Sequence, residues 1–330
     1  LVIFQEQTKK RNSEQKISEK LNKNEMKRKI NKIFYMKLIS ISLLLTYNSC
    51  FLWVARAFQK CENKVKVEKI DEFPEDDFLV WLGHSTFLFK VSGKVFYTDP
   101  VIYEKIVIIK RQTEFPAEVS KLPTPNFIII SHNHYDHMDI PSLKTLSEKS
   151  KSEGKIPVIL VPEKASYYLD GVGAKVIELK WGKEFDAGDV KIKSYQVKHF
   201  SGRNLFDWNF SKWNAYLVET DKIKIFFGGD TAYIKLPEIY PDVALLPIGA
   251  WKPRWFMKRN HISPCEAVQI AKDIKAKIMI PMHYGTFRQG LDNPEESLEE
   301  MEKCAEKLGV KYIIPHIGQM IKIQELIRED

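Results

Sequence analysis

The sequence predicts an α/β fold, a four-layer αββα sandwich in which two β-sheets lie face to face between outer layers of helices. From residue 78 onwards, short apolar runs bounded by turn residues recur along the chain, which is the pattern of strands. The early runs follow one another at hairpin spacing, whereas the later runs alternate with helical stretches. Two sheets covered by helices on their outer faces accommodate both halves of this pattern.

Each predicted strand is an apolar run that ends at a turn residue or a polar cluster. In chain order the strands are Leu79 to Leu82, Thr86 to Val91, Lys94 to Thr98, Asn126 to Ser131, Pro157 to Val161, Val190 to Val197, Ala215 to Thr220, Lys224 to Gly228, Val243 to Pro247, Ile278 to Met282, Tyr312 to Pro315 and Met320 to Ile323. Helices are predicted at Ile140 to Lys149, Ser263 to Ile274 and Pro294 to Leu308. The second of these opens with Ser263 and Pro264, which suit the N-cap and the first helical position.

Charge is distributed unevenly along the 330 residues. Residues 1 to 65 contain 14 Lys or Arg against 5 Asp or Glu, whereas residues 66 to 330 contain 37 against 38. A nearly neutral body argues against nucleic acid as a partner, because domains that bind nucleic acid are usually basic. We therefore predict a basic N-terminal segment over residues 1–65, followed by one larger domain over residues 66–330.

The N-terminal segment contains an uncharged apolar stretch of eighteen residues, from Leu38 to Ala55. A bilayer-spanning helix needs roughly 20 apolar residues, and Ala55-Arg56-Ala57 has the small-x-small form of a signal-peptidase site. A retained anchor and a cleaved export signal are thus equally supported. Either one predicts a protein that is membrane-associated, being anchored or exported through this segment.

A histidine-rich segment follows the apolar strand that ends at Ile130. Within Ser131-His-Asn-His-Tyr-Asp-His137, four side chains can bind a metal: His132, His134, Asp136 and His137. In an extended loop the first two project to the same side, while the last two lie beyond the turn and can face a second centre. Imidazole and carboxylate ligands suit zinc, and they also suit manganese, iron or nickel.

Three more candidate ligands each come directly after a strand, namely His199, Asp230 and His283. Strand ends at one edge of a sandwich converge in space, so these residues can join the first cluster. Taken singly, each has a structural explanation, such as a hydrogen-bonded histidine or a tight Gly-Gly-Asp-Thr turn. The four cysteines show no CxxC spacing, so histidines and carboxylates are left to build the metal site.

The order HxHxDH, single His, GDT, single His resembles the metallo-β-lactamase superfamily. Further segments resemble its N-acyl-phosphatidylethanolamine-hydrolysing phospholipase D branch, and the resemblance spans about residues 78 to 318. These segments are Trp81-Leu-Gly-His-Ser-Thr86, Pro247-Ile-Gly-Ala250, Pro253-Arg-Trp-Phe-Met257, His261-Ile-Ser-Pro264 and His283-Tyr-Gly-Thr-Phe287. The resemblance implies the αββα sandwich of that superfamily.

The resemblance also implies two Zn²⁺ ions per chain, although other divalent metals fit the same ligand types. One ion would be held by His132, His134 and His199, and the other by Asp136, His137 and His283, with Asp230 bridging the two. Asp136 and Asp230 would thereby take part in catalysis. A hydroxide between the ions would be the nucleophile, since no GxSxG element points to a serine.

By the same resemblance, His261 occupies the place of an active-site histidine, where it would bind the substrate phosphate or protonate the leaving group. Asn260 stands beside it as a candidate substrate-binding residue, where the family has Gln, and this difference leaves the headgroup preference open. His84 is predicted to play a supporting or structural role, and His316 a structural one.

The resulting functional prediction is a zinc-dependent phosphodiesterase of phospholipase D type, with a phospholipid or a small phosphodiester as substrate and with membrane association. The alternatives are a lactonase or other carbonyl hydrolase acting on a sugar-phosphate-like substrate, and a non-catalytic binding protein.

Two apolar segments allow two interpretations each. Residues 106 to 109, next to Lys110 and Arg111, suit an anionic membrane surface or a buried strand, while Trp251, Trp255 and Phe256 suit an acyl groove or the core.

Overall fold

The computed structural model describes residues 65–204 and 206–327. The apolar segment 38–55 and its cleavage site lie outside the described residues, and the predicted domain boundary at residue 65 stays a prediction.

The predicted localisation, a membrane-associated protein anchored or exported through that segment, needs correction. None of the helices formed by the described residues is long and apolar enough to cross a bilayer, and the longest helix among them has 15 residues and is rich in glutamate.

The strands in the described part of the chain are β1 (Phe78–Gly83), β2 (Thr86–Val91), β3 (Lys94–Thr98), β4 (Lys105–Ile106), β5 (Ile109–Lys110), β6 (Phe127–Ile129), β7 (Val158–Pro162), β8 (Lys175–Leu179), β9 (Glu184–Asp186), β10 (Val190–Tyr195), β11 (Ala215–Thr220), β12 (Lys224–Phe227), β13 (Val243–Pro247), β14 (Ile278–Met282) and β15 (Met320–Lys322). The α-helices of the same residues are α1 (Ile140–Ser152), α2 (Arg254–Met257), α3 (Pro264–Asp273), α4 (Pro294–Leu308) and α5 (Ile323–Ile327).

These strands form two main sheets and a small hairpin. The first sheet has the order β15-β1-β2-β3-β6-β7-β8, and the second has the order β14-β13-β12-β11-β10-β9. In each sheet one half is antiparallel, and the other half, β3-β6-β7-β8 or β12-β13-β14, is parallel. The hairpin pairs β4 with β5. Loops that follow parallel strands of one sheet leave it at the same edge, which is where the functional side chains are found.

Alternation along β1 shows how the layers pack. Leu79 and Trp81 join the apolar cluster shared by both sheets, whereas Val80 and Leu82 join a second cluster that includes Leu143 of α1. Successive side chains of a strand point to opposite faces, so one face of the first sheet meets the second sheet and the other meets α1. Helices α3 and α4 contribute Ala267, Val268, Met301 and Ala305 to the cluster shared by both sheets. The predicted αββα sandwich is confirmed.

Most predicted elements are present, and the errors have physical reasons. Strand β2 and helix α4 match their predicted bounds at both ends. The predicted strand Tyr312 to Pro315 is wrong, because only Tyr312 forms an isolated bridge, with Met279. Strand β8 was not predicted because it is an edge strand whose side chains are mostly exposed or half-buried, so it lacks a clear apolar run.

A disulfide between Cys265 and Cys304 joins α3 to α4, although the cysteine spacing gave no sign of it. We expect Cys304→Ser to lower the free energy of unfolding by about 2 to 4 kcal/mol. The disulfide joins residues 39 positions apart, and closing this loop lowers the conformational entropy of the unfolded chain. Denaturant titration of both proteins measures the difference. A reductant should bring the wild type down to the stability of the variant and leave the variant unchanged; equal stabilities under oxidising conditions would contradict the prediction.

Candidate metal centre

The loop between β6 and α1 carries four of the predicted ligands. It folds into a tight turn, because the backbone N–H groups of His137 and Met138 both donate to the carbonyl oxygen of His134. The loop ends where the Asp139 carboxylate accepts a hydrogen bond from Ser142 N at 3.0 Å and caps α1. A capped helix at one end and a buried strand at the other fix the positions of the ligands between them.

Glycines allow the other ligand-bearing loops to come close. Gly229 has φ +56°, and a Cβ added there would lie 2.5 Å from Ser131 Cβ, so only glycine lets the Asp230 loop pass the histidine-rich loop. A Cβ on Gly249 would lie 2.0 Å from the carbonyl oxygen of His283. The Gly228-Gly229-Asp230 sequence therefore does not only form a turn. It also allows the end of β12 to pack against the end of β6.

Asp230 lies in the middle of the histidines. Its Oδ1 is 3.1 Å from His283 Nε2, and its Oδ2 is 3.3 Å from His137 Nε2 and 3.8 Å from His199 Nε2. The same Oδ2 lies 3.7 Å from His261 Nδ1. Asp230 is buried, so this carboxylate is positioned to link groups on both of its sides.

The structure brings all seven predicted ligands together, in two groups around Asp230. The ligand atoms of His132, His134 and His199 lie within 4.8 Å of one another. So do those of Asp136, His137 and His283, together with His84. The grouping matches the two ligand sets that the sequence predicted, and the role of each residue towards a metal stays a prediction. His316, predicted to be structural, is exposed.

Several polar atoms of the centre are buried and lack a hydrogen-bond partner. Among them are His137 Nε2, His283 Nε2 and Asp230 Oδ1. Leaving such groups unpaired costs free energy, and a cation placed among them would satisfy them. Imidazole nitrogen and carboxylate oxygen are the ligands that zinc and related divalent metals take in proteins. The residues therefore fit a metal centre.

The electrostatics of the centre also suit a cation. Burial lowers the pKa of His134 to about 4 and that of His132 well below its usual value, which keeps both rings in the neutral form that binds metal. Burial alone would raise the pKa of Asp230, but His283 and His137 hold it well below its usual range. His132 and His134 thus offer neutral imidazoles beside the ionised carboxylate of Asp230.

Asp99, which follows β3, was not predicted to belong to the centre. Its Oδ2 accepts a hydrogen bond from His137 Nδ1 at 2.6 Å, and its Oδ1 accepts one from Ser131 N at 2.7 Å. With Nδ1 occupied, Nε2 is the nitrogen that His137 can offer to a metal. The available signal in the sequence was an aspartate directly after the predicted strand Lys94 to Thr98.

Asp136 is held by two side chains that the sequence did not place there. His84 Nε2 donates to Asp136 Oδ2 at 2.9 Å, and Gln289 Nε2 donates to the same oxygen. Burial, followed by the nearby His283, lowers the pKa of His84 to about 3, so its ring is neutral. The supporting role that we predicted for His84 agrees with its contact to Asp136.

The two residues predicted to meet substrate also reach the centre. The backbone oxygen of Asn260 accepts a hydrogen bond from His199 Nδ1 at 2.9 Å, which orients His199 and leaves its Nε2 for the centre. The carbonyl oxygen of His261 accepts a hydrogen bond from Arg254 Nη1 of α2 at 2.7 Å. The His261 side chain is 14% exposed, so the ring is not completely enclosed.

Comparison with known proteins decides the family. The family described as Beta-lactamase superfamily domain matches residues 95–284, more than half of the chain. The chain belongs to the metallo-β-lactamase superfamily. The matched range contains all seven predicted ligands.

Relatives of this superfamily member include N-acyl-phosphatidylethanolamine-hydrolyzing phospholipase D 1 of Caenorhabditis elegans, 32% identical over 76% of this chain and 77% of that protein. The mitochondrial enzyme of the same description from Saccharomyces cerevisiae is 33% identical over 72% of this chain, which spans only 54% of the yeast protein. A metallo hydrolase of the archaeon Ignicoccus hospitalis shares the fold, with a TM-score of 0.56, 21% identity and coverage of 74% of this chain and 97% of that chain. The protein is a metal-dependent hydrolase.

In this metallo-β-lactamase superfamily member, we expect Asp99→Asn to weaken metal binding about 10- to 100-fold, because loss of the carboxylate partner loosens the ring of His137. Competition with a chromophoric chelator measures the affinity. Asp139→Asn is the matched control, since Asp139 lies in the same region but caps α1 and contacts no predicted ligand side chain. Equal affinities of the two variants, both folded, would rule out a supporting role for Asp99.

Proposed function

We propose that this protein is a two-zinc phosphodiesterase of phospholipase D type that acts on phospholipids resembling N-acyl-phosphatidylethanolamine. The arrangement of two ligand groups around Asp230 carries the proposal, since a two-metal centre suits displacement at phosphorus. The similarity to the enzymes from Caenorhabditis elegans and Saccharomyces cerevisiae supports phospholipid as the substrate class.

In this proposal His132, His134 and His199 would hold one ion and Asp136, His137 and His283 would hold the other, and Asp230 lies between the two ligand groups. Bound zinc supplies Lewis acidity and lowers the pKa of water. Water oxygen becomes bonded to phosphorus, the bond from phosphorus to the headgroup oxygen breaks, and the headgroup leaves as an alcohol. Asp99 and the backbone oxygen of Asn260 keep the rings of His137 and His199 in position throughout.

His261 is the proposed substrate-binding and catalytic histidine. Its Nδ1 faces Asp230 at 3.7 Å, which leaves Nε2 for the substrate. A ring in this place can donate a hydrogen bond to a phosphate oxygen or pass a proton to the departing headgroup oxygen. Helix α2 fixes the backbone of this residue through Arg254.

A second candidate function is hydrolysis of a lactone or another carbonyl substrate. The cleft beside His283 is lined by the polar side chains of Gln112, Arg288 and Gln289 as well as by Tyr284 and Phe287. An arginine and two amides suit a small phosphorylated substrate as well as a phospholipid headgroup. A non-catalytic binding protein has less support, because all seven ligands are present in the chain.

The deciding experiment is a substrate screen on metal-analysed protein. We expect close to two zinc ions per chain, release of phosphatidate from N-acyl-phosphatidylethanolamine in mixed micelles, and loss of this activity on chelation with recovery on adding zinc. Protein with Asp230→Asn, purified in the same way, controls for contaminating hydrolases. Preference for a lactone would favour the second candidate, and no hydrolysis by fully metal-loaded protein would overturn the proposal.

A further inference from the structure

Three segments around the metal centre expose large apolar side chains to solvent. They are the turn of the β4–β5 hairpin, the loop that follows His199, and helix α2. We call these side chains the docking rim, which consists of Val107, Ile108, Phe206, Trp208, Trp255 and Phe256. Their exposed fractions range from 54% for Phe256 to 98% for Phe206. Of the two interpretations open for Trp255 and Phe256, the core is therefore excluded, whereas Trp251 is buried.

The rim residue Trp208 is connected to the metal centre through two ring contacts. The ring of Phe200 lies 4.4 Å from that of His134. The ring of Trp208 stacks on Phe200 at 4.7 Å and is 66% exposed. The loop that follows His199 therefore leads directly from a candidate ligand to the surface.

The other two segments are connected to the centre in a similar way. In the hairpin, Ile106 packs against Phe287, whose ring lies 5.4 Å from that of His84. In helix α2, Arg254 donates to the carbonyl oxygen of His261, and Trp255 and Phe256 follow it. All three segments leave the sandwich at the edge that carries the metal centre, so the docking rim lies at that edge.

The segments of the rim are basic within an otherwise nearly neutral body. Residues 103–110, 200–212 and 251–260 together contain 8 Lys or Arg against 2 Asp or Glu, compared with 37 against 38 for residues 66–330. Lys105, Lys110, Lys258 and Arg259 are exposed, and none of the four forms an ion pair with a residue that the structure describes. Their positive charge is available to a partner.

We propose that the docking rim binds the surface of an anionic lipid aggregate. Large apolar side chains exposed at one edge of a domain indicate an interaction site, and tryptophan with phenylalanine beside lysine and arginine is the composition found at a negatively charged lipid interface. The aliphatic tip formed by Val107 and Ile108 has no ring on which a nucleic-acid base could stack, which favours lipid. Docking would present the metal centre to substrate in the aggregate. This consequence rests on the proposed function, whereas docking itself does not.

The test is co-sedimentation of the full chain with vesicles, which needs no hydrolysis. The rim variant carries Ile108→Ser and Trp208→Ser. Its matched control carries Ile156→Ser and Tyr240→Ser, which remove an isoleucine and an aromatic ring that are 71% and 59% exposed. Ile156 precedes β7 and Tyr240 precedes β13, so both lie at the edge opposite the metal centre. Both variants keep residues 1–64, so this segment is the same in the two proteins compared.

On vesicles of phosphatidylcholine with phosphatidylglycerol, we expect the rim variant to bind at least about tenfold more weakly than the wild type, and the control to bind like the wild type. Replacing Lys258 and Arg259 by Gln should weaken binding to these vesicles about tenfold and should change binding to pure phosphatidylcholine vesicles little.

Equal binding of the rim variant and the control, both with wild-type melting temperatures, overturns the proposal. The proposal is also overturned if the wild type and the control self-associate without vesicles and the rim variant does not. The rim would then join two copies of the chain. Vesicle binding that depends on the rim, in a protein without phosphodiesterase activity, would refute the proposed function and leave docking supported.

Discussion

Asp230→Asn is expected to lower turnover on phosphodiesters by about 10³-fold or more while the protein stays folded. The reason lies in the position of this carboxylate, which faces nitrogen atoms of His283, His137 and His199 within 3.8 Å. Asn has nearly the same shape but no negative charge, so it cannot balance the charge of two cations. Turnover, metal content by mass spectrometry and melting temperature are measured together.

A matched control for Asp230→Asn is Asp242→Asn. Asp242 accepts a hydrogen bond from Lys224 N and pairs with Lys277 at the opposite edge of the same sheet. This replacement removes a structural carboxylate from the same sheet, and we expect it to leave turnover unchanged. Activity retained by Asp230→Asn, or full activity in wild-type protein with metal content near zero, would refute the two-metal assignment.

Most of the strands and much of the cluster of candidate ligands could be predicted because their signals are local. The apolar run of β2 and the four ligands within residues 132–137 are visible in short windows of sequence. Asp230 and His283 could be added because strand ends at one edge of a sandwich converge. For the apolar runs and the cluster at residues 132–137, periodicity and composition carry the information, and no knowledge of distant contacts is needed.

The supporting contacts could not be predicted because they join residues far apart in the chain. Asp99 is 38 residues from His137, and Gln289 is 153 residues from Asp136. Before folding, nothing distinguishes Gln289 from any other polar residue on a loop. Cys265 and Cys304 likewise become neighbours only when α3 packs against α4. Such partners depend on the register between layers, which the pattern of apolar residues does not specify.

His261→Ala is expected to lower turnover by about 10²-fold or more and to leave the metal content unchanged. His261 lies outside the two predicted ligand sets, and its ring is the one that we propose meets the substrate. One of its ring nitrogens is within 4.8 Å of ligand atoms of His199 and Asp230, so metal content is measured in the variant. The matched control is His316→Ala, which removes an exposed histidine outside the metal centre and should leave turnover unchanged. A soluble chromogenic phosphodiester, N-acyl-phosphatidylethanolamine in mixed micelles and a lactone are assayed in parallel.

A second substitution separates the two chemical roles proposed for His261. Gln can donate a hydrogen bond but cannot transfer a proton at neutral pH, so His261→Gln should recover much of the turnover if the ring only binds a phosphate oxygen. It should recover little if the ring protonates the departing headgroup oxygen. Loss of metal in either variant would make His261 a ligand instead, consistent with its Nδ1 lying 3.7 Å from Asp230 Oδ2. A lower melting temperature with near-normal turnover per folded molecule would make it structural, because a group that acts on the substrate must change the rate of the folded enzyme.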